Sequence, residues 1–311
     1  MAETALGKRR SLLAVTFEEA RKSVFESYGG GDYETGLQAI DRYASKNDDE
    51  VSDLSYWRMC LLSRLDRVEE ACAEFAQRLD QGFWWGDFFL LDTDLDQVRE
   101  HPEWRRLATL SLDRARETKR VHRSPIDLLP DSPLATSLIL FHGGAERPDM
   151  MINRCSEMVH QGCRLVALHG TEPSASARFG WPLGDSEQVV SSQVHEVGEL
   201  VRPILVGYSQ GAGLAGYLAW GQHLHCAGVV LVAPAWGIRG VPIPTHRLAP
   251  VRTYVLAGGE DWAIEDTRHA TDALETSGVP VLLDERPGLG HDWPEDSAAI
   301  LSRAIAWMLN E

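Results

Sequence analysis

The sequence contains few cysteines, and their arrangement argues against a disulfide framework. Its 311 residues include five, at Cys60, Cys72, Cys155, Cys163 and Cys226. The number is odd and no C-x-x-C motif occurs. Unpaired thiols of this kind are typical of a reducing cytosol, so the sequence predicts a cytoplasmic protein without disulfides.

Positive charge and long apolar runs are also lacking. Lysine and arginine number 30 against 46 acidic residues, which gives a formal net charge of −16. A chain of this charge repels phosphate backbones and anionic lipid, so no nucleic-acid partner is expected. No apolar run approaches the length that crosses a bilayer, and residues 1–10 lack the apolar core of a secretory signal.

The first third of the chain is predicted to be helical. Strand-like alternation is scarce between residues 12 and 116, and residues 31–40 can be laid over residues 66–75. The small residues Gly36 and Ala71 then coincide, as expected where two helices touch. The offset of 35 residues and the matching small positions resemble two degenerate tetratricopeptide helix pairs. Two pairs are fewer than a free-standing array needs, so we expect this helical arm to pack on its neighbour.

The composition divides the chain into three parts. Residues 1–118 are predicted to form the tetratricopeptide-like helical domain, residues 119–134 a linker with prolines and scattered charges, and residues 135–311 an α/β domain. Five aromatics within residues 83–89 indicate an inter-domain core or, alternatively, a surface for a partner or an acyl chain. The sequence leaves open whether the helical arm caps a site, forms a dimer or binds another protein.

Short apolar runs alternate with helical stretches after residue 135. This alternation predicts a mostly parallel sheet with helices on both faces. Sites in such sheets lie at the carboxyl ends of strands. The predicted strands are residues 137–141, 164–168, 203–206, 228–232, 252–257 and 279–284.

The third predicted strand leads into the motif G-Y-S-Q-G at residues 207–211. Residues 204–206 form a short apolar run, and residues 212–220 have the length of a helix. A strand, a sharp turn and a helix are the context of a nucleophile elbow, which lifts a serine hydroxyl to the edge of a sheet. Ser209 is therefore the candidate nucleophile, and glycines flank it because a Cβ there would collide with neighbouring backbone.

Two later strand ends supply partners for this serine. Asp261 follows the fifth predicted strand, where a buried carboxylate can accept the Nδ1–H of a histidine and fix its tautomer. Glu260 and Asp266 are rival acids. His291 lies in a glycine-rich loop after the sixth predicted strand. The order Ser209, Asp261, His291 is the chain order of the α/β-hydrolase triad.

The first predicted strand ends in His-Gly-Gly, where backbone N–H groups can approach a ligand oxygen. The N–H of Gln210, with that of Gly144 or else Gly143, is predicted to form an oxyanion hole. The pair His223 and His225 lacks acidic or cysteine companions, so we expect surface histidines there and no metal site.

Residues 135–311 resemble an α/β-hydrolase. The motif at residues 207–211 is similar to the G-F-S-Q-G of the phospholipase/carboxylesterase branch, which includes acyl-protein thioesterases. The resemblance implies Ser209 as nucleophile, Asp261 as acid, His291 as base, and no cofactor. The sequence departs from that branch in its helical arm and in its His-Gly-Gly, where the branch usually has His-Gly-hydrophobic-Gly.

Four side chains near the predicted site are candidates for substrate contacts: Trp181, Arg178, Tyr208 and Trp236. For Trp181, inward packing beneath a surface loop is an equal alternative. The first functional hypothesis is a serine hydrolase acting on a small or acylated ester or thioester. The alternatives are a peptidase, amidase or acyltransferase with the same triad, and an idle hydrolase fold that binds partners through the helical arm.

Overall fold

The computed structural model describes residues 15–119, 121–182, 184–236 and 248–310. The chain divides into two compact units, Met1–Arg114 and Ala115–Glu311, called the helical unit and the sheet unit below. No helix in the described ranges combines the length and the apolar composition that a membrane span requires.

The helical unit begins its long helices at polar caps. Thr16 and Glu19 form a capping box, and Asn47 accepts the N–H of Glu50, which satisfies N–H groups that have no partner inside the helix. The elements are α1 (Phe17–Gly29), α2 (Tyr33–Asp41), α3 (Asp48–Arg64), α4 (Val68–Asp80), α5 (Asp87–Leu90), a 3₁₀ turn (Thr93–Leu95), α6 (Asp96–Arg99) and α7 (Pro102–Lys119), whose last residues lie past the boundary at Arg114.

The small residues of the predicted repeat lie at helix contacts. A Cβ on Gly36 would lie 3.1 Å from Cδ1 of Leu61, so α2 and α3 approach closely at this point. Ala71 on α4 is fully buried, as is Phe75 one turn later. The tetratricopeptide resemblance itself stays a prediction.

The aromatic run of residues 83–89 is divided between core and surface. Trp85 is 1% exposed and packs on Phe75, which also contacts Trp104. The backbone of Trp85 exchanges two hydrogen bonds with the hydroxyl of Ser111. All these partners belong to the helical unit, so Trp85 is part of that unit's own core, whereas Phe88 is exposed.

The sheet unit contains a seven-stranded sheet in the order β1-β3-β2-β6-β7-β8-β9. All neighbours are parallel except β1 and β3. The strands are β1 (Ile126–Leu128), β2 (Thr136–Phe141), β3 (Cys163–Leu168), β6 (Ile204–Tyr208), β7 (Gly228–Val232), β8 (Thr253–Gly258) and β9 (Val281–Arg286), with a separate hairpin of β4 (Glu172–Ala175) and β5 (Arg178–Gly180). The helices are α8 (Pro148–Cys155), α9 (Glu157–His160), α10 (Ser186–Val197), α11 (Gln210–Trp220), α12 (Ile264–Thr276) and α13 (Ser297–Leu309).

Alternate residues of the central strands enter two separate cores. Leu138 and Leu140 of β2 share one core with side chains of α8, α9 and α13. Ile139 and Phe141 share the other with side chains of α10, α11 and α12. Because both faces are covered, the strand carries a continuous apolar run instead of an alternating pattern. The predicted mostly parallel sheet with helices on both faces is thus confirmed.

The six predicted strands are found as β2, β3, β6, β7, β8 and β9, but three short strands were not expected. β1 lies within residues 119–134, the segment interpreted as a linker. Its three residues are partly or fully exposed, so it lacks the apolar run by which the other strands were predicted. The hairpin of β4 and β5 is equally short and contains a register irregularity between Pro173 and Ala175.

Candidate active site

The order in which the chain adds strands to the sheet reverses between β2 and β6. These strands are neighbours, with β3 beside β2 and β7 beside β6. In open α/β sheets, ligands bind outside the carboxyl ends of the strands at such a switch point. Gly143 and Gly144 follow β2, and Ser209 follows β6. The fold therefore brings the two predicted strand ends to the same crevice.

Ser209 occupies a strained turn between β6 and α11. Its backbone angles are φ 51° and ψ −118°, a region that residues with a Cβ rarely adopt. The flanking glycines permit the turn. A Cβ on Gly207 would lie 2.5 Å from the backbone of α11, and one on Gly211 would lie 2.3 Å from the carbonyl oxygen of His142. The motif thus has the geometry of a nucleophile elbow.

The structure brings the three predicted triad residues together. Nε2 of His291 lies 2.9 Å from Oγ of Ser209. Nδ1 of His291 lies 2.9 and 3.0 Å from the two carboxylate oxygens of Asp261. A nucleophile beside a base, with the base oriented by an acid, is the arrangement that activates a serine hydroxyl.

Asp261 is buried beneath the histidine. Its side chain is 2% exposed, and its Oδ1 accepts the N–H of Ala263 at 2.8 Å. The rival acids Glu260 and Asp266 are exposed. The imidazole of His291 is 21% exposed, so a ligand can reach it from solvent.

The two glycines predicted for the oxyanion hole differ in their hydrogen bonding. The N–H of Gly143 donates to Oε2 of Glu146 at 2.9 Å, which corrects the expectation that Gly143 is a candidate donor. Among the described residues, no acceptor is found for the N–H of Gly144 or Gln210. The two residues are adjacent, since a Cβ on Gly144 would lie 3.4 Å from Oε1 of Gln210. Gln210 also begins α11, whose dipole favours negative charge there.

His142 supports the turn after β2 as a neutral side chain. It is fully buried, its Nε2 accepts the N–H of Gly170 at 2.9 Å, and its Nδ1 lies 2.7 Å from the carbonyl oxygen of Gly143. The proton is therefore assigned to Nδ1, which donates to that carbonyl. Burial lowers the pKa of His142 from its ordinary value of 6.5 to about 4.

This shift predicts acid sensitivity of the sheet unit. Between about pH 6.5 and 4 the unfolded chain binds a proton at residue 142 that the folded chain excludes, so stability falls as pH falls and is fully present above 6.5. We expect a loss of about 2–3 kcal/mol from this residue between pH 7 and 4.5. Urea unfolding at both pH values measures it. The His142→Asn variant should lose less over this range, whereas His160→Asn, on the surface, should match wild type.

Trp181 and Tyr208, two of the predicted substrate contacts, are packed inward. Trp181 is 2% exposed, and its indole N–H donates to the carbonyl oxygen of His142 at 2.8 Å. Tyr208 is 8% exposed, and its hydroxyl donates to the carbonyl oxygen of His291 at 2.8 Å. Both side chains therefore lie beneath the site and support its loops, which is the alternative considered for Trp181.

The other two predicted contacts are half-buried. Trp236 donates its indole N–H to Oγ1 of Thr267 at 3.1 Å and stacks on Trp220. Arg178 begins β5, whose backbone pairs with β4. A substrate contact by either residue stays a prediction.

Sequence reasoning missed three residues at this site. Trp262 follows Asp261, the predicted triad acid, is 58% exposed, and has its ring centroid 5.1 Å from that of His291. Glu146 and Arg154 form an ion pair beside the strand end of β2. A tryptophan next to the predicted acid was a visible signal. The ion pair was not visible in the sequence, because its role depends on which residues the fold brings into contact with it.

The H-x-H pair takes part in surface contacts. His223 lies 3.1 Å from a carboxylate oxygen of Glu187 and stacks on Tyr217, while His225 is exposed. Within the described ranges, no cluster of three or more histidine, cysteine or acidic side chains is arranged to hold a metal ion.

Comparison with known proteins gives similarity in structure alone. No protein-family model and no curated protein matches the sequence. An uncharacterized protein from Bacillus cereus ATCC 10987 is 19% identical, with a TM-score of 0.49 over 95% of this chain and 99% of its own. A Bacillus cereus carboxylesterase is 16% identical, with a TM-score of 0.48 over 62% and 96%. A Mesorhizobium loti carboxylesterase is 22% identical, with a TM-score of 0.46 over 55% and 88%.

The topology of the sheet unit identifies its fold independently of these comparisons. Six parallel strands, an antiparallel first strand and helices on both faces carry a serine elbow after β6, an acid after β8 and a histidine after β9. This is an α/β-hydrolase fold. The chain order of the three residues agrees with it.

Proposed function

We propose that this chain is a serine hydrolase that cleaves a carboxylic ester or thioester through an acyl-enzyme on Ser209. The observation that supports this most is the continuous series of contacts from Oγ of Ser209 through the imidazole of His291 to Asp261, with 2.9 Å at each step. A serine hydroxyl is a poor nucleophile until a base removes its proton during attack. We propose His291 as that base, because its Nε2 lies 2.9 Å from Oγ of Ser209.

Acylation follows from this geometry. Nε2 of His291 takes the Oγ proton as Ser209 bonds to the carbonyl carbon, and the carbonyl π electrons move to oxygen. The N–H groups of Gln210 and Gly144 stabilise that oxyanion. When the intermediate collapses, the bond to the alcohol or thiol breaks, and His291 returns its proton to the leaving group. Asp261 stays ionised and stabilises the imidazolium.

Deacylation repeats these steps with water as the nucleophile. His291 removes a proton from the water as its oxygen bonds to the acyl carbon. The second tetrahedral intermediate then releases the carboxylic acid, and Ser209 recovers its proton. All the groups required are side chains and backbone of this chain, so the proposed mechanism uses no cofactor.

A fluorophosphonate probe tests the proposed nucleophile, because it phosphonylates an activated serine and releases fluoride. We expect labelling at Ser209, located by peptide mass spectrometry, together with turnover of nitrophenyl esters or acyl thioesters. Folded protein that is not labelled would refute the proposal and favour an idle fold that binds partners. Turnover of aminoacyl amides alone, or products formed only with added amine or alcohol, would instead support a peptidase or an acyltransferase.

Trp262 is proposed as a substrate contact on the exposed side of His291. Packing of a substrate ring on this indole should stabilise the bound state by about 1 kcal/mol. Trp262→Ala should therefore lower kcat/KM for phenyl or naphthyl esters by about 5–10-fold and change that for methyl esters much less. Leu129→Ala removes another exposed apolar side chain of the sheet unit and should change neither. Equal losses on all esters would contradict a contact with the aromatic group.

A further inference from the structure

One ion pair in the sheet unit contacts both loops that form the candidate active site. Glu146, in the loop after β2, and Arg154, on α8, form two parallel hydrogen bonds. Nη1 of the guanidinium lies 2.7 Å from Oε2, and Nη2 lies 2.7 Å from Oε1. The two side chains are 13% and 19% exposed. The pair is therefore mostly shielded from water.

The carboxylate of Glu146 holds the loop of the predicted oxyanion donor. Its Oε2 also accepts the N–H of Gly143, and Gly144, the donor that the geometry favours, is the next residue. The backbone of Glu146 exchanges hydrogen bonds of 3.2 and 2.9 Å with that of Phe179. The orientation of the backbone leading into Gly144 thus depends on where this carboxylate is held.

The guanidinium of Arg154 reaches the loop that carries the histidine. It lies 4.4 Å from the ring centroid of Tyr208 and 5.6 Å from that of Trp293, distances at which a cation is attracted to an aromatic face. Tyr208 bonds to the carbonyl oxygen of His291, and Trp293 is two residues further along the chain. Arg154 therefore packs on two side chains that contact or belong to the loop of His291, and so it helps to fix the backbone of that residue.

Stability alone does not explain charges at this place. Replacing a buried ion pair by apolar residues is often neutral or stabilising, whereas removing one partner leaves an uncompensated charge. We propose that Glu146 and Arg154 are positioning residues for acyl transfer, an inference that rests on the proposed function. Their pair joins the backbone before Gly144 to the loop of His291 and holds the oxyanion donors and the base in one relative geometry.

The double variant Glu146→Met/Arg154→Met tests this role, because it removes both charges and keeps the side-chain bulk. We expect it to fold, while kcat for a nitrophenyl ester falls about 10²-fold and KM changes by less than about threefold. A misplacement of about 1 Å near the reacting atoms is enough for such a loss, and a loss confined to kcat reports the transition state. Glu146→Gln keeps an oxygen that can accept the N–H of Gly143 and should lose less.

A second ion pair that is also joined by two hydrogen bonds provides the control. Nε and Nη2 of Arg164 lie 2.8 and 2.7 Å from the carboxylate oxygens of Asp127. Arg164 is near the start of β3, at the opposite end of the sheet from the candidate site. Asp127→Met/Arg164→Met should leave kcat within about twofold of wild type, whatever its effect on melting temperature.

Coupling between variants identifies the route by which Arg154 acts. If the guanidinium positions His291 through Tyr208, then Arg154→Met and Tyr208→Phe should together lower kcat by less than the product of their separate effects. Multiplicative effects would overturn this route. A wild-type kcat in the Glu146/Arg154 double variant would overturn the positioning role alone. A wild-type protein that neither reacts with fluorophosphonate nor turns over esters would overturn the proposed function, and this inference with it.

Discussion

Replacing Ser209 by alanine should lower kcat for ester hydrolysis by about 10⁶-fold and abolish fluorophosphonate labelling. The alanine methyl group cannot form an acyl-enzyme, and His291 then has no proton to remove. The oxyanion donors and substrate binding should still accelerate the reaction by about 10³–10⁴-fold over water. Substrate affinity should change little, because the hydroxyl acts in the transition state and adds little to binding before it.

Glycine at the same position separates chemistry from stability. The φ of 51° strains any residue with a Cβ, so Ser209→Gly should be as inactive as Ser209→Ala and no less stable. Nitrophenyl ester turnover and melting temperature, measured on both variants, test this. Ser192→Ala, at an exposed serine of α10, should behave as wild type. Turnover by Ser209→Ala above about one-hundredth of the wild-type rate would mean that another group is the nucleophile.

The sheet, and the three residues proposed as a triad, could be predicted from sequence because both depend on local patterns. A parallel strand covered on both faces, such as β2 or β6, is a continuous apolar run that ends at a glycine-rich turn. The glycines flanking Ser209 reflect backbone contacts that no other residue permits. The strand β1 has no such pattern, because its three residues are partly or fully exposed. Its backbone pairs with β3, and the ion pair of Asp127 with Arg164 adds a side-chain contact between the two strands.

The direction of a side chain is not encoded in this way. Trp181 and Tyr208 are candidates for substrate contacts in the sequence, with inward packing an equal alternative for Trp181. In the structure their polar atoms bond to carbonyl oxygens 39 and 83 positions away in sequence. The carboxylate of Glu146 accepts the N–H of Gly143, which leaves Gly144 as the candidate oxyanion donor. Each of these outcomes depends on which distant groups the fold places nearby, and a motif read in one sequence does not contain that information.

Asp261→Asn should lower kcat by about 10⁴-fold without unfolding the protein. The hydrogen bond from the N–H of Ala263 to Oδ1 explains why. In the variant, the amide oxygen keeps this bond, so the amide NH₂ takes the place of Oδ2 and donates to Nδ1 of His291. The imidazole must then carry its proton on Nε2, facing Ser209. In that tautomer it cannot accept the serine proton.

Two comparisons separate this tautomer effect from a general loss of charge near the site. Glu260→Gln removes a neighbouring but exposed carboxylate and should keep kcat within about twofold of wild type. Asp261→Ala leaves Nδ1 without an enforced donor, so the imidazole can still place its proton there. We therefore expect Asp261→Ala to retain at least as much activity as Asp261→Asn, although Ala263 loses its acceptor. Steady-state kinetics of the three variants, with circular dichroism to verify folding, decide the matter. An Asp261→Asn enzyme within about tenfold of wild type would mean that the buried carboxylate does not set the tautomer of His291.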